Sequence, residues 1–278
     1  MVGRAVIEYC ESQGDDVFSY DHQALDISDE SLVRQTLASD RPEAVINCAA
    51  WTDVDGCERN PVLASAANAQ GPENLAKASR QLGAILVTIS TDYVFDGEKE
   101  GFYTQRDDPN PKSVYGVSKL EGERRAQQAS ARTVIVRSGF IFGVAGRNFL
   151  STVADRARSG GKLSAIRDAW GTPTYSAHLA ARLRELAARD LPGIYHVVNA
   201  GDGASYEEFT RLVVAELGGE QATVQAVTMD SLKRPAPRPR NSRLRCLLSD
   251  AIGLDPLPDW QDALRDFVVG NRPAGATN

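Results

Sequence analysis

At 278 residues and 42% hydrophobic composition, the chain can bury a sizeable core as one large domain or as a larger domain with a smaller partner. A net charge of −6 opposes general nucleic-acid affinity, and the four scattered cysteines, without CxxC pairs or a histidine cluster, indicate neither a zinc site nor a disulfide framework. No apolar run approaches the roughly 20 residues of a membrane span and no signal core opens the chain, so a soluble, cytoplasmic protein in a reducing compartment is expected. Short apolar runs then alternate with longer amphipathic ones, the pattern of βα units and a parallel sheet. The reading in chain order is helix 3–13, strand 15–20, helix 29–39, strand 44–48, helix 61–82 and strand 84–90. Helix 113–129 and strand 132–138 follow a loop at 106–112. Beyond Phe140 the alternation loosens into helix 148–159, helix 176–189, strand 194–198, helix 205–218, a Pro/Arg-rich loop at 234–243 and a closing helix at 257–269. The small and polar residues from Gly270 to Asn278 are expected to be mobile.

A doubly wound nucleotide fold opens with a strand and a Gly-rich turn whose amides hold a pyrophosphate at a helix N-terminus. Met1-Val2-Gly3-Arg4-Ala5 matches only the end of such a turn, with Gly3 in the place of its last glycine. The expectation is therefore an α/β, Rossmann-type domain lacking its first strand, with a smaller α/β domain for substrate. The first is expected over 1–140 plus about 171–200, the second over about 141–170 plus 201–278.

Two runs carry chemistry. In Val114-Tyr115-Gly116-Val117-Ser118-Lys119, tyrosine and lysine stand four apart, so a helix sets an ammonium beside a phenol on one face. That neighbour favours the phenolate. A tyrosine so poised can protonate a carbonyl oxygen as its carbon accepts hydride, whereas an unperturbed phenol of pKa about 10 matches neutral pH poorly. Thr91, ending an apolar run before Asp92-Tyr93-Val94-Phe95-Asp96-Gly97, can hold the same oxygen. The bare Tyr-x-x-x-Lys pair often arises by chance, so its meaning comes from context.

That context extends along nearly the whole chain. It comprises Leu25-Asp26-Ile27-Ser28-Asp29, Val45-Ile46-Asn47-Cys48-Ala49-Ala50-Trp51-Thr52, the Thr91 and Tyr115 runs, Arg137-Ser138-Gly139-Phe140-Ile141-Phe142-Gly143 and Arg147-Asn148-Phe149. Gly171-Thr172-Pro173-Thr174, Gly193-Ile194-Tyr195-His196 and Arg238-Pro239-Arg240-Asn241-Ser242 complete it. With these runs the chain resembles the extended short-chain dehydrogenase/reductase superfamily and, within it, the dTDP-4-dehydrorhamnose reductase family. The resemblance implies NADPH- or NADH-dependent reduction of the C4 carbonyl of dTDP-4-dehydro-6-deoxy-L-mannose, with Thr91, Tyr115 and Lys119 catalytic. It implies a dTDP-sugar as partner, allows a homodimer, and calls for no metal.

The same resemblance distributes the binding roles. Cofactor contacts fall on Gly3, Asp21, Asp26, Ile27, Ala49, Ala50 and Thr52, together with Tyr115 and Lys119. Asp21 follows run 15–20 where an acid meets a ribose 2′-hydroxyl, or it is a solvated turn residue. Asp26 and Ile27 match adenine contacts, or Asp26 caps the next helix. Ala49, Ala50 and Thr52 let a dinucleotide approach the backbone, or are small core residues. Asn68 matches a residue that orders the site, or is a surface asparagine.

Sugar-nucleotide contacts fall on Asp92, Tyr93, Phe140, Asn148, Arg238 and Arg240, the arginines near a diphosphate or merely solvated. The family usually has tryptophan at Phe140 and glutamine at Ala169. His22, His178 and His196 show no ligand spacing and are assigned structural roles. Dehydratases of the superfamily place an Asp-Glu pair after the threonine, whereas Tyr93 follows Asp92 here, which disfavours elimination. The chain also resembles the non-catalytic regulatory subunit of methionine adenosyltransferase, against which the intact Thr91, Tyr115 and Lys119 argue.

Overall fold

The computed structural model describes residues 1–218 and 222–270. Its first half contains α1 (Val2–Ser12), α2 (Glu30–Asp40), β1 (Ala44–Asn47), α3 (Val54–Arg59), α4 (Pro61–Ser65), a π-turn at Ala66–Gln70, α5 (Gly71–Leu82), β2 (Ile85–Thr91), a 3₁₀ turn at Asp92–Val94, and α6 (Val114–Ala129). There follow β3 (Thr133–Ser138), β4 (Ile141–Phe142), α7 (Phe149–Arg158), β5 (Gly161–Ile166), β6 (Trp170–Gly171), β7 (Thr174–Tyr175), α8 (Ser176–Arg189) and β8 (Gly193–His196). The chain continues through β9 (Ala204–Ser205), α9 (Tyr206–Glu216), β10 (Ala222–Val227), α10 (Leu247–Ala251) and α11 (Trp260–Gly270).

The central sheet is parallel, in the order β1-β2-β3-β8. Its middle strands are apolar on both faces because helices cover both, as parallel sheets require. Side chains alternate accordingly. Ile85 and Val87 of β2 and Val134 and Val136 of β3 pack on α1 and α8 through Val6, Cys10, Leu179 and Leu183. Leu86 and Ile135 point the other way, onto Val33, Leu37, Leu75 and Ala126 of α2, α5 and α6. A separate cluster, with Phe142, Leu150, Val153, Phe209, Val213, Leu264 and Phe267, joins α7, α9 and α11 beside the parallel pair β5–β10.

Several expectations need correction. Residues 15–20 form no strand: the segment has no ladder partner among the described residues, and Phe18 and Tyr20 are exposed. Strand propensity becomes a strand only where another backbone supplies the hydrogen bonds. The expected helix 61–82 is broken into α4, the π-turn and α5. Pro72 has no N–H to offer the carbonyl of Asn68, and the Gly71 N–H reaches Ala66 O instead, five residues back. The pairs β5–β10, β4–β7 and β6–β9 and the helices α3 and α10 have no counterpart in the sequence reading. The expectation of mobility at the end of the chain lies, for 271–278, outside the described residues.

The axis of α6 is set by two glycines. A Cβ on Gly116 would fall well within 3.0 Å of Tyr93 O, and one on Gly122 equally close to Asn68 O. Helix backbone therefore touches the β2–α6 connection at one end and the π-turn at the other. Gly122→Ala gains up to about 1 kcal/mol of helix propensity, but the clash is with backbone and cannot be relieved by rotating a side chain. The expected net result in urea denaturation is a loss of about 1–3 kcal/mol. Equal or greater stability would show that α6 can move away from the π-turn.

Candidate active site

The C-terminal ends of β1, β2 and β3 open on one edge of the sheet, where open α/β folds collect ligands. At the end of β2, the Thr91 hydroxyl donates to Asp92 Oδ1 at 3.0 Å and accepts from Tyr93 N at 3.1 Å. The Ser242 hydroxyl donates to Asp92 Oδ2. This carboxyl is buried, and burial raises its pKa to about 6 against the opposing pull of Ser242 and Thr91. Gly139 makes the room, since a Cβ there would collide with the carboxylate.

Helix α6 starts at a fixed place. Ser113 Oγ caps it by accepting from Gly116 N at 3.1 Å, and Glu58 of α3 accepts from Val114 N at 2.8 Å. Tyr115 packs with Cys57 and Ala64 under Trp51 and Tyr93, its ring 5.8 Å from that of Tyr93 in an edge-on arrangement. Lys119 is buried, and Nζ donates to Ile89 O at 2.7 Å. Burial lowers its pKa to about 8. The expected effect of this lysine on the phenol is not realised in this arrangement. Burial drives the Tyr115 pKa up, and the neighbouring Thr91 hydroxyl, rather than Lys119, is what pulls it back in part.

Asn68 joins this site to the loop after β1. Its Oδ1 accepts from Trp51 N at 2.8 Å, while Nδ2 donates to Trp51 O at 3.0 Å and to Ser118 Oγ at 3.1 Å. It is therefore a buried anchor between the 49–52 loop and α6. Ala49 and Thr52 are exposed along that loop and Ala50 partly so. The N-terminus of α1 lies nearby without a side-chain cap, and a Cβ on Gly3 would meet only the Cys48 side chain, at 3.6 Å. Uncapped helix N–H groups beside small residues suit a pyrophosphate, so these groups fit a dinucleotide. Asp21 is exposed and accepts from Gln23 N and Ala24 N at 3.0 and 2.9 Å. Asp26 accepts from Ser28 in its own turn, and Ile27 packs on Gly71. The cap of α2 is Asp29, not Asp26.

An aromatic pair lies close by. Phe140 has a left-handed backbone, φ 47°, rare for a bulky residue, and its carbonyl is held by Thr174 N at 3.1 Å. Its ring lies 4.5 Å from that of Tyr206 and against Gly171. Sequence reasoning misses Tyr206. It opens α9 after the capping box of Ser205 and Glu208, a Ser-x-x-Glu signal visible in the sequence. Its hydroxyl has no hydrogen-bond partner among the described residues, and burial raises its pKa to about 12, with Asp92 adding to the rise and Arg234 and Arg238 opposing it.

The arginines separate. Arg238 lies near the phenols of Tyr93 and Tyr206 but holds Asp55 of α3 through two 3.0 Å bonds. Arg240 is exposed and instead pairs with Asp168 and Asp230, each at 2.7 Å. Asn148 caps α7 through Ser151 N at 2.9 Å and donates to Ile141 O at 2.8 Å. His196 is buried and bound to Arg245 O at 3.0 Å, while His178 bonds Asn199.

A family model described as the RmlD substrate binding domain matches residues 1–271. A dTDP-4-dehydrorhamnose reductase of Streptomyces griseus is 38% identical over 96% of this chain and 89% of its own length. The reductase of that name from Mycolicibacterium smegmatis is 36% identical over 97% and 82%. Among solved structures, the dTDP-4-dehydrorhamnose reductase of Bacillus anthracis in complex with NADP superposes with a TM-score of 0.93 at 32% identity, covering 97% of this chain and 95% of that one. A UDP-glucose 4-epimerase of Thermus thermophilus, at 24% identity and a TM-score of 0.82 over 99% and 96%, shares the fold.

Asp92 makes the site's stability depend on pH. Its carboxyl binds the proton more tightly folded, about 6, than at its ordinary value of 3.8, so the stability it contributes is present below 3.8 and is lost as pH rises through 6. Asp92→Asn removes this titration. Melting temperatures of the two proteins should therefore move apart in favour of the variant between pH 4 and pH 7; parallel curves would mean that Asp92 ionises as easily as an exposed acid.

Proposed function

This chain belongs to the RmlD substrate-binding-domain family, and from that premise we propose that it reduces the C4 carbonyl of dTDP-4-dehydrorhamnose to give dTDP-L-rhamnose with NADPH or NADH. The observation that carries the reading is that Thr91, Tyr115 and Lys119 lie together at the end of β2, with Asp92 and the Phe140–Tyr206 pair close by. A bound nicotinamide cofactor would supply the hydride. Gly3, Asp21, Asp26, Ile27, Ala49, Ala50 and Thr52 are the residues proposed to hold it, with Lys119 at its ribose.

The reduction needs one proton at the sugar O4. Tyr115 is the proposed donor: its raised pKa keeps the phenol protonated at neutral pH, as a general acid requires. Thr91 is suited to hold O4 in place. Its hydroxyl already accepts from Tyr93 N and donates to Asp92, so it offers O4 a proton only by turning away from the carboxylate. Lys119, at a pKa near 8, is cationic at neutral pH and is proposed to orient the cofactor through its ribose.

For the sugar nucleotide, Asp92, Tyr93 and Phe140 are the proposed contacts. Arg238 is placed to exchange Asp55 for a diphosphate oxygen, a charge-assisted contact of the same kind. Asn148 and Arg240 contribute, in this reading, through the α7 cap and the 234–243 loop. The sheet body, 1–140 plus about 171–200, holds cofactor, and the remainder holds sugar. Location in the cytoplasm and a homodimer accord with this role, and no described helix is long and apolar enough to cross a membrane.

The direct test is oxidation of NADPH and NADH by the purified protein with dTDP-4-dehydrorhamnose. Tyr115→Phe should lower turnover by about 10²–10⁴-fold while sugar-nucleotide binding, measured by calorimetry, stays nearly unchanged, because only the transferable proton is lost. Turnover close to that of the parent would remove Tyr115 from the chemistry. Tyr206→Phe should raise KM for the sugar nucleotide about three- to tenfold with little change in kcat, the loss of one hydrogen bond. An unchanged KM would place that hydroxyl outside the sugar site.

A further inference from the structure

One turn beyond Lys119 on α6, at the same four-residue spacing that separates it from Tyr115, lies Glu123, 3% exposed. It pairs with Arg137 of β3, 4% exposed: Nη2 donates to Oε2 at 2.7 Å, and Nε lies 3.0 and 3.2 Å from the two oxygens. The Ser90 hydroxyl donates to Oε1. The guanidinium rests 5.3 Å over the Phe95 ring. Every other ion pair among the described residues has at least one solvent-accessible partner.

Two charges buried like this are costly, and apolar residues of similar volume would often serve the fold as well or better. The place of the pair supplies a reason. Ile89 O receives the Lys119 ammonium and Ser90 receives the Glu123 carboxylate, so two successive residues of β2 fix two successive turns of α6 just before Thr91. We propose that Glu123, clamped by Arg137 and Ser90, is the positioning residue that keeps Lys119 cationic and seated on Ile89 O at the end of β2.

The surrounding charges leave that task to Glu123. Just after β1, Cys48 faces Lys119, but burial pushes its thiol up to about 12 and it carries no charge. From β3, Arg137 spends its cation on Glu123 itself, and His196 of β8, held down to about 4 by burial and by Arg137, is neutral. Burial alone pulls Lys119 toward the neutral amine, and the Glu123 carboxylate is what acts against it.

The inference rests on the reductase reading only for what Lys119 does, so its test has a readout independent of turnover. The chain has six lysines. Labelled with ¹³C at Cε, they give six signals, and the one missing from Lys119→Met belongs to Lys119. In the parent protein that signal should titrate near pH 8. In Glu123→Gln it should titrate lower by about one pH unit or more, with the other five unmoved. The high-pH limb of single-turnover reduction should move down with it. If Glu123→Gln does not fold, Glu123→Gln/Arg137→Gln leaves no unpaired buried charge and should show the same downward shift. A folded variant whose Lys119 titrates as in the parent overturns the proposal. A parent protein that never oxidises NADPH would count against the reductase reading and leave the titration result standing.

Discussion

The site depends on how closely α6 can approach the end of β2. A helix with a side chain at 116 would stand off from the turn after β2, and one with a side chain at 122 from the π-turn, because backbone oxygens of Tyr93 and Asn68 occupy that space. With glycine at both positions the helix backbone touches the strand end, and Tyr115 and Lys119 come down beside Thr91 and Ile89. The π-turn belongs to the same arrangement. Pro72 withholds a helical N–H from Asn68 O, and the widened turn presents the Asn68 side chain to Trp51 and Ser118. One steric condition thus fixes Tyr115, Lys119 and the loop after β1 together.

Around this contact the protein retains features that a purely structural core would lack. Asp92 is a carboxyl buried between two hydroxyls, Phe140 has a left-handed backbone, and Tyr206 has a hydroxyl without a partner among the described residues. The first opposes stability by burial of a polar group and the second by backbone strain. They lie together around the end of β2. Such clustering is what a site prepared for a polar, partly aromatic-stacked ligand requires, and the pyranose and diphosphate of a nucleotide sugar have that character.

Much of this was legible in the sequence. The parallel sheet followed from apolar runs in alternation with amphipathic ones, and the four-residue spacing placed Tyr115 and Lys119 on one helix face. Where the reading failed, the deciding contacts were distant in sequence. Residues 15–20 have strand-like composition, but a strand is defined by its neighbour. The break in helix 61–82 depends on a packing contact with Gly122, half a hundred residues away, as well as on Pro72. Arg238 was legible as a cation and its partner Asp55 was not. Lys119 was expected to pull the Tyr115 phenol toward ionisation, but its ammonium is turned to Ile89 O and burial dominates. Tyr206 could have been found from its Ser-x-x-Glu capping box, which marks a helix start but says nothing of what that start faces.

The central claim is that a nicotinamide cofactor bound at this site would deliver one hydride to a sugar carbonyl and Tyr115 would supply the proton that completes the alcohol. The most direct measurement is the reaction of dTDP-4-dehydrorhamnose with NADPH carrying deuterium on the transferable face of C4, with the product read by NMR and mass spectrometry. The account predicts a dTDP-6-deoxyhexose with one deuterium, bound to the sugar C4. Product without that deuterium, or solvent hydrogen exchanged into C3 or C5 with no net reduction, would contradict it.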